Sequence, residues 1–509
     1  MRTAISLRAM LVAGAVVIAA CGRAGPRSSA VGTASSSASA AAVPASVRAG
    51  DWPTFGHDTR RSGVGPSDPG ITARNLRQLT LRQVSINGIA DSSAIELPAI
   101  KVSGRRRDVV VVSTSYGKTI AIDAGSGAKL WEFSPPGVDS APGNPQVTTA
   151  SPTADPDRRF VYAPSPNGVI YKLSVTNGHT VWARSITFDP THEKIASSLN
   201  LSGRYVVAVT GGYIGDAPPY DGHVVTINRT SGRIAHVWNS LCSGRHELIR
   251  ASSCGVTNTR GDNAIWSRAG PVIEPGSGKI LVATGNGPFD GVSSWGNSVL
   301  ELSADASRLL HNWTPVNQAA LAKGDTDVGS TSPVVLPVYH GLRLAVQGGK
   351  DGKLHLLDLA RLNGTRGGAG GRLGGELQEV AAPGGGGLFT APAVWRDGRR
   401  ILLFAADDSG TAAYELFGGG HPRLRPVWSN AAAGTSPVVA GALLYVYDEL
   451  DGRLNVRGAA NGVELRSLPV ANGHWNSPIV VGGRIILPTG AYGDHSSSST
   501  IEIYHLPGR

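Results

Sequence analysis

The sequence predicts an all-β fold, an eight-bladed β-propeller of four-stranded antiparallel blades whose ring is closed by the N-terminal segment. Three observations lead there. With 67 Gly, 32 Pro and only 17% charged residues, the chain is heavily punctuated by turn formers and has almost no long helical pattern, as suits short strands joined by tight connections. A hairpin-rich unit recurs eight times along it. The eighth copy stops short, while an unmatched piece stands before the first.

Each unit opens with a small or apolar residue followed by Pro or Leu and then a β run. The openings are Leu97-Pro98, Ser151-Pro152, Ser198-Leu199, Gly270-Pro271, Ser332-Pro333, Ala391-Pro392, Ser436-Pro437 and Ser477-Pro478. Their mean spacing is about 54 residues, close to the length of a four-stranded blade.

The second half of each unit repeats as well. In Thr119–Trp131 and Ile170–Trp182, Gly127 and Gly178 each stand four residues before the Trp. Ile120/Ile122 and Tyr171/Leu173 alternate with the period of two that a half-buried strand needs. The Ser-Gly or Asn-Gly pair supplies the positive φ of a tight hairpin. Looser copies follow at Val225–Trp238, Val299–Trp313, Leu354–Leu362, Ala412–Trp428, Leu454–Arg466 and Ile501–Leu506. The fifth and seventh lack the Trp. Packing between blades is the reading for each repeat Trp.

Eight copies make a propeller or a solenoid. The last copy ends before an outer strand, and Asp51-Trp52-Pro53-Thr54-Phe55 stands alone before the first. A ring closes if that N-terminal piece completes the last blade, and closure removes exposed sheet edges.

Residues 1–20 read as a lipoprotein signal peptide. Arg2 and Arg8 precede the apolar run Ala9–Ala20, which is too short to span a bilayer. Ile18-Ala19-Ala20-Cys21 resembles a lipobox, with Cys21 the lipidated residue. An ordinary signal peptide, with Cys21 a bystander, is the alternative. Residues 21–50 are rich in Ser and Ala and read as a disordered tether; residues 51–509 form the propeller. The expected location is the cell membrane or outer envelope, with the membrane a partner through the anchor.

Cys242 and Cys254 remain. A lone pair in an exported chain reads as a disulfide, and closing so short a loop stabilises by roughly 2–3 kcal/mol. The intervening loop carries His246 and Glu247, which leaves a zinc site as the alternative. Despite a formal charge of +10, no basic run interleaved with aromatics suggests a nucleic-acid groove. Arg105-Arg106-Arg107, between two apolar runs, reads as a hairpin turn.

The segments Asp262–Gly291, Trp295–Pro315, Gly324–Pro337 and Gly348–Asp358 stand apart from the repeat. They resemble the central region of the pyrroloquinoline quinone (PQQ)-dependent alcohol and methanol dehydrogenases, which are eight-bladed propellers. The resemblance implies PQQ and calcium as cofactors and an alcohol or sugar as substrate. It implies Trp266 as the stacking plane, Lys350 as the contact to the quinone oxygens, and Asn286 as a calcium ligand. Asp327 matches the catalytic carboxylate, with Asp325 the adjacent candidate. These types suit the chemistry: an aromatic plane holds a flat cofactor, a hard cation wants oxygen ligands, and a carboxylate takes the alcohol proton.

Where the family has a Glu calcium ligand, this sequence has Gly211-Gly212-Tyr213-Ile214-Gly215-Asp216, with Asp216 the available substitute. The vicinal disulfide that covers PQQ in many members is missing, and so is a CxxCH haem motif. Each site residue also has a packing, turn or solvated-loop reading. The second functional expectation is a non-catalytic envelope scaffold, similar to the outer-membrane assembly lipoprotein and binding a protein partner. Fold alone does not choose between them.

Overall fold

The computed structural model describes residues 47–508 apart from 142, 214–216, 256–260, 364–371 and 491–498. The signal segment, Cys21, nearly all of the tether and Asp216 lie outside the described residues. Among the described residues no helix is long and apolar enough to cross a membrane.

Eight four-stranded antiparallel sheets follow one another along the chain. Blade 1 runs Ile95–Val102, Arg105–Ser113, Thr119–Asp123, Lys129–Phe133 in sequence order. Blades 2 to 7 repeat that meander. In blades 2 to 8 the expected opening pair directly precedes strand one; in blade 1, Leu97-Pro98 falls inside it, at a bulge. Third strands such as Thr119–Asp123 are wholly buried, whereas outer strands such as Thr180–Ser185 are half exposed. Arg105–Arg107 belong to the second strand of blade 1, and the turn lies just before them at Ser103-Gly104, both at positive φ. Three Arg side chains there have no need of the left-handed backbone that Gly104 tolerates.

Blade 8 closes the ring. Its order places Thr80–Ile86 beside Ser499–His505, with antiparallel pairing from Thr80↔His505 to Ile86↔Ser499. An N-terminal segment thus completes the last blade as expected, but the strand that does so is Thr80–Ile86, not Asp51–Phe55.

Two sets of contacts join neighbouring blades. At the openings, serines bridge adjacent inner strands: Ser93 N–H donates to Ser151 Oγ, Ser151 N–H to Ser198 Oγ, and Ala391 N–H to Ser436 Oγ. Ser477 closes the circle, donating its N–H to Ser93 Oγ and its hydroxyl to Ser436 O. Small polar residues recur there because the strands crowd. At the outer strands, the indole N–H of Trp131 donates to Val175 O, that of Trp182 to Arg229 O, and that of Trp428 to Ala459 O. Each acceptor lies three residues before the hairpin glycine of the next blade. A Cβ on Gly178, Gly232 or Gly462 would sit 2.5–2.7 Å from the indole.

Asp51–Ile71 runs along the inner strands instead of entering a sheet. Trp52 bridges Glu96, Ala154 N–H donates to Pro53 O, Ile273 N–H to Thr59 O, Val394 N–H to Ser62 O, and Val439 N–H to Gly63 O. The strap satisfies inner-strand edges that no further strand covers. Phe55 packs against Ala269 and Ala391. Arg61, 2% exposed, donates to Thr54 Oγ1, Phe55 O, Ser198 O and Leu199 O. Replacing Arg61 with Met leaves buried carbonyls without donors and should destabilise the fold by about 2–4 kcal/mol in urea denaturation.

A second buried charge lies in blade 3. His223 Nε2 is 3.1 Å from Glu193 Oε2, and its Nδ1 is 2.7 Å from Asn239 Oδ1 and 3.7 Å from Asp221 Oδ2. Burial works against the imidazolium, but Glu193 foremost and Asp221 next hold it up to about 9. A group whose folded pKa exceeds its unfolded one stabilises fully below the unfolded value, near 6.5, and loses that contribution through the folded one. Stability should therefore fall by about 3 kcal/mol between roughly pH 6.5 and 9. A His223→Gln variant, followed by denaturant midpoint against pH, should lack that fall.

Candidate functional site

Antiparallel order within each blade decides where the site forms. The loop entering strand one and the loop joining strands two and three must emerge at the same end of a four-stranded meander. Trp266 lies in the loop entering blade 4, Asp327 in the loop entering blade 5, Asn286 after the second strand of blade 4, and Lys350 after the second strand of blade 5. The four therefore share one end of the ring.

The structure brings them together. Asp327, 3% exposed, accepts from Asn286 N–H at 2.5 Å, and its other oxygen lies 2.5 Å from Lys350 Nζ. Lys350 N–H donates to Asp327 O at 2.9 Å, so backbone and side chain hold the same pair. Lys350 Nζ stands 5.6 Å from the Trp266 ring centroid, within cation–π range. Gly285 makes this approach feasible, since a Cβ there would meet Asp327 Oδ1 at 2.7 Å and Trp266 Nε1 at 3.1 Å. Burial pushes Asp327 up to about 6, against the downward pull of Lys350 and the Asn286 N–H. Asp325 joins as an exposed flank, 3.3 Å from Lys350 Nζ. The Asn286 side chain lies against Gly261, where a Cβ would come within 2.5 Å of Oδ1. Asp216 lies outside the described residues.

A second half of the site was absent from the sequence expectations. Trp475 and Phe389 stack with ring centroids 5.1 Å apart, and both lie within 6.5 Å of Trp266. Arg268 stands over Trp475 at 5.5 Å, grips both oxygens of Asp91 and contacts His474. Burial opposes ionisation of Asp91, yet Arg268 and His474 together hold its carboxyl below the usual range.

Lys194 completes this edge. Its strand residue pairs with Gly211, and a Cβ on Gly211 would touch Trp266 Cβ at 3.1 Å. Lys194 is 6% exposed and, among the described residues, has no hydrogen-bond acceptor or ion-pair partner. Burial, reinforced by Arg268, pulls its ammonium down to about 8. One signal was present in the sequence: Phe389 and Trp475 each stand three residues before an opening proline, Pro392 and Pro478. Lys194 gave none, because it occupies a two-residue strand outside the repeat.

The donors can be tested against the cofactors that the resemblance implies. A flat, polyanionic quinone fits: a cluster of aromatic rings with Lys350 at Trp266 and Arg268 at Trp475 offers stacking and charge complementarity. Calcium does not fit the described residues. It takes six to eight oxygen ligands, whereas the carboxylates described at this end are already held by cations, Asp327 and the exposed Asp325 by Lys350 and Asp91 by Arg268, beside the one amide of Asn286.

Residues 96–287 match the family model described as outer membrane protein assembly factor BamB. No curated protein matches the chain. Among solved structures, the quinohemoprotein alcohol dehydrogenase of Comamonas testosteroni is 16% identical, with 90% of this chain and 81% of that one covered at a TM-score of 0.65. A quinohemoprotein alcohol dehydrogenase from Pseudomonas putida HK5 is 13% identical with the same coverage and TM-score. A europium-containing methanol dehydrogenase is 12% identical, covering 89% of this chain and 97% of its own at 0.63. At these identities the likeness establishes the eight-bladed fold.

Proposed function

We propose that the chain is an exported propeller, tethered to a membrane through Cys21, whose axial site binds a planar anionic quinone of the PQQ type and oxidises an alcohol or sugar. The observation that carries this reading is the convergence of Trp266, Asp327 and Lys350 from two blades, with Lys194 and Arg268 at a second edge of the same aromatic floor.

PQQ would supply the two-electron acceptor. The chain's own residues have separable tasks. Trp266 offers the stacking plane, and Lys350 stabilises negative charge on ligand oxygens at its edge. Lys194 and Arg268 meet carboxylates on the other side. Asp327 accepts the substrate hydroxyl proton at its carboxylate, and its burial leaves it a competent base above about pH 6. Asp325 adds charge at the rim beside Lys350. Calcium has no part in this reading, and electrons leave through a separate acceptor.

A non-catalytic envelope scaffold is the second reading. The family-model match over residues 96–287 and the want of a calcium donor set among the described residues favour it. Exposed Phe417, Val427, Val463 and Leu465, on or beside the outer strands of blades 6 and 7, would offer apolar contact to a protein partner.

Titrating purified protein with PQQ, with and without calcium, should quench Trp fluorescence. Trp266→Ala should weaken binding roughly ten- to hundredfold, a loss of about 1–3 kcal/mol. Dye-coupled alcohol oxidation should rise with pH through about 6, and Asp327→Asn should retain PQQ but lose that activity. No PQQ binding at high concentration would leave the scaffold reading standing.

The anchor is tested separately by Cys21→Ser. That variant should appear in the soluble fraction or remain unprocessed, and unchanged membrane retention would refute the anchor.

A further inference from the structure

Away from the axial floor, one group of metal-ligating side chains converges among the described residues. A carboxylate oxygen of Asp221 and the sulfurs of Cys242 and Cys254 lie within 4.8 Å of one another. The cysteines form a disulfide with Cα atoms 5.6 Å apart, as expected for the lone pair. His246 and Glu247, the other candidate ligands in that loop, are exposed, and Glu247 is occupied by Arg245.

The carboxylate is the unusual member. Asp221 is fully buried, and its Oδ1 accepts from Ser240 N–H, Ser240 Oγ and Leu241 N–H at 2.8–3.1 Å. Its Oδ2 has no hydrogen-bond donor. The nearest cation, His223, is 3.7 Å away and directs that nitrogen to Asn239 instead. An ionised oxygen left this way is costly in an interior, and two disulfide sulfurs offer it neither a proton nor a charge.

We propose that Asp221, Cys242 and Cys254 form a thiol-gated site for a thiophilic divalent cation such as zinc, closed to metal in the disulfide state and open in the dithiol state. An external dithiol delivers two electrons and two protons to the disulfide and is itself oxidised to a disulfide. Metal entry then displaces the two thiol protons to solvent, giving two thiolate–metal bonds and one bond to an Asp221 carboxylate oxygen. In the disulfide state one Asp221 oxygen and both sulfurs already lie within 4.8 Å of one another, and cleavage of the S–S bond lets the sulfurs part to span a cation at Zn–S lengths of about 2.3 Å and Zn–O of about 2.0–2.2 Å. The cation and two thiolates cancel in charge, so occupation adds no net charge to the interior. It also gives the buried Asp221 carboxylate a second positive partner besides His223. Both cysteines are half-buried next to exposed loop residues, so reductant and metal have access. Three protein ligands with one open position is a common zinc arrangement.

The test uses full-length protein, oxidised or reduced with a phosphine under anaerobic conditions, and titrated with Co2+ and then Zn2+. Reduced protein should bind one equivalent of Co2+ with thiolate-to-metal charge-transfer absorption that Zn2+ abolishes. Oxidised protein and the Cys242→Ser/Cys254→Ser variant should show none. Asp221→Asn should weaken Zn2+ at least tenfold. Absence of the charge-transfer band in reduced wild type, unfolding on reduction, or equal affinity in Asp221→Asn would overturn the proposal. Should Asp221→Asn fail to fold, His246→Ala/Glu247→Ala decides: unchanged affinity supports the assignment, and loss of binding moves the ligands to the loop and overturns it.

Discussion

The contact between one blade's outer tryptophan and the next blade's hairpin glycine is the constraint on which the ring depends. The indole N–H of Trp131, Trp182 and Trp428 reaches the carbonyl three residues before Gly178, Gly232 and Gly462. The ring itself lies where any Cβ would collide. Glycine is therefore required twice, once for positive φ and once for close approach. The closure point obeys the same geometry with other residues. Val84 packs over Gly127, and Arg82 donates to Ala124 O, again three residues before the glycine. A strand from the start of the chain thus meets blade 1 as the outer strands of blades 1, 2 and 6 meet their neighbours.

With the blades fixed at this spacing, the serine bridges at the openings and the strap Asp51–Ile71 account for the inner edges. Rigid rims let loops from distant parts of the sequence hold charged groups that water would otherwise have to solvate. Arg268 reaches Asp91 across 177 residues, and Arg61 reaches Leu199 across 138. Such pairs contribute little net stability against an apolar replacement, but removing one partner strands the other. The Asp327–Lys350 pair belongs to this class, and its partial exposure at Lys350 is what makes it suited to chemistry.

Much of the axial site was legible because the resemblance is carried by residues that follow one another: Trp266, Asn286, Asp327 and Lys350 fall within two adjacent blades. The opposite edge was not. Asp91, Lys194, Arg268, Phe389 and Trp475 come from loops of blades 1, 3, 4, 6 and 8, and their meeting is a property of ring closure. Asp221 illustrates the same limit, since nothing in its neighbours along the chain points to Cys242 and Cys254.

By itself the sequence determined the class of fold, the number of blades and the hairpin turns marked by glycine before a Trp, because these rest on local alternation and on glycines at fixed offsets. Which strand closes the ring was decided by tertiary structure: Thr80–Ile86 has the register and length to pair with Ser499–His505, whereas Asp51–Phe55 contains Pro53 and finds its donors and acceptors on inner-strand edges. The side chains that meet at one end of the ring were likewise settled only in three dimensions. Antiparallel meanders send alternate loops to that end, and only a closed circle brings blade 8 back against blade 1.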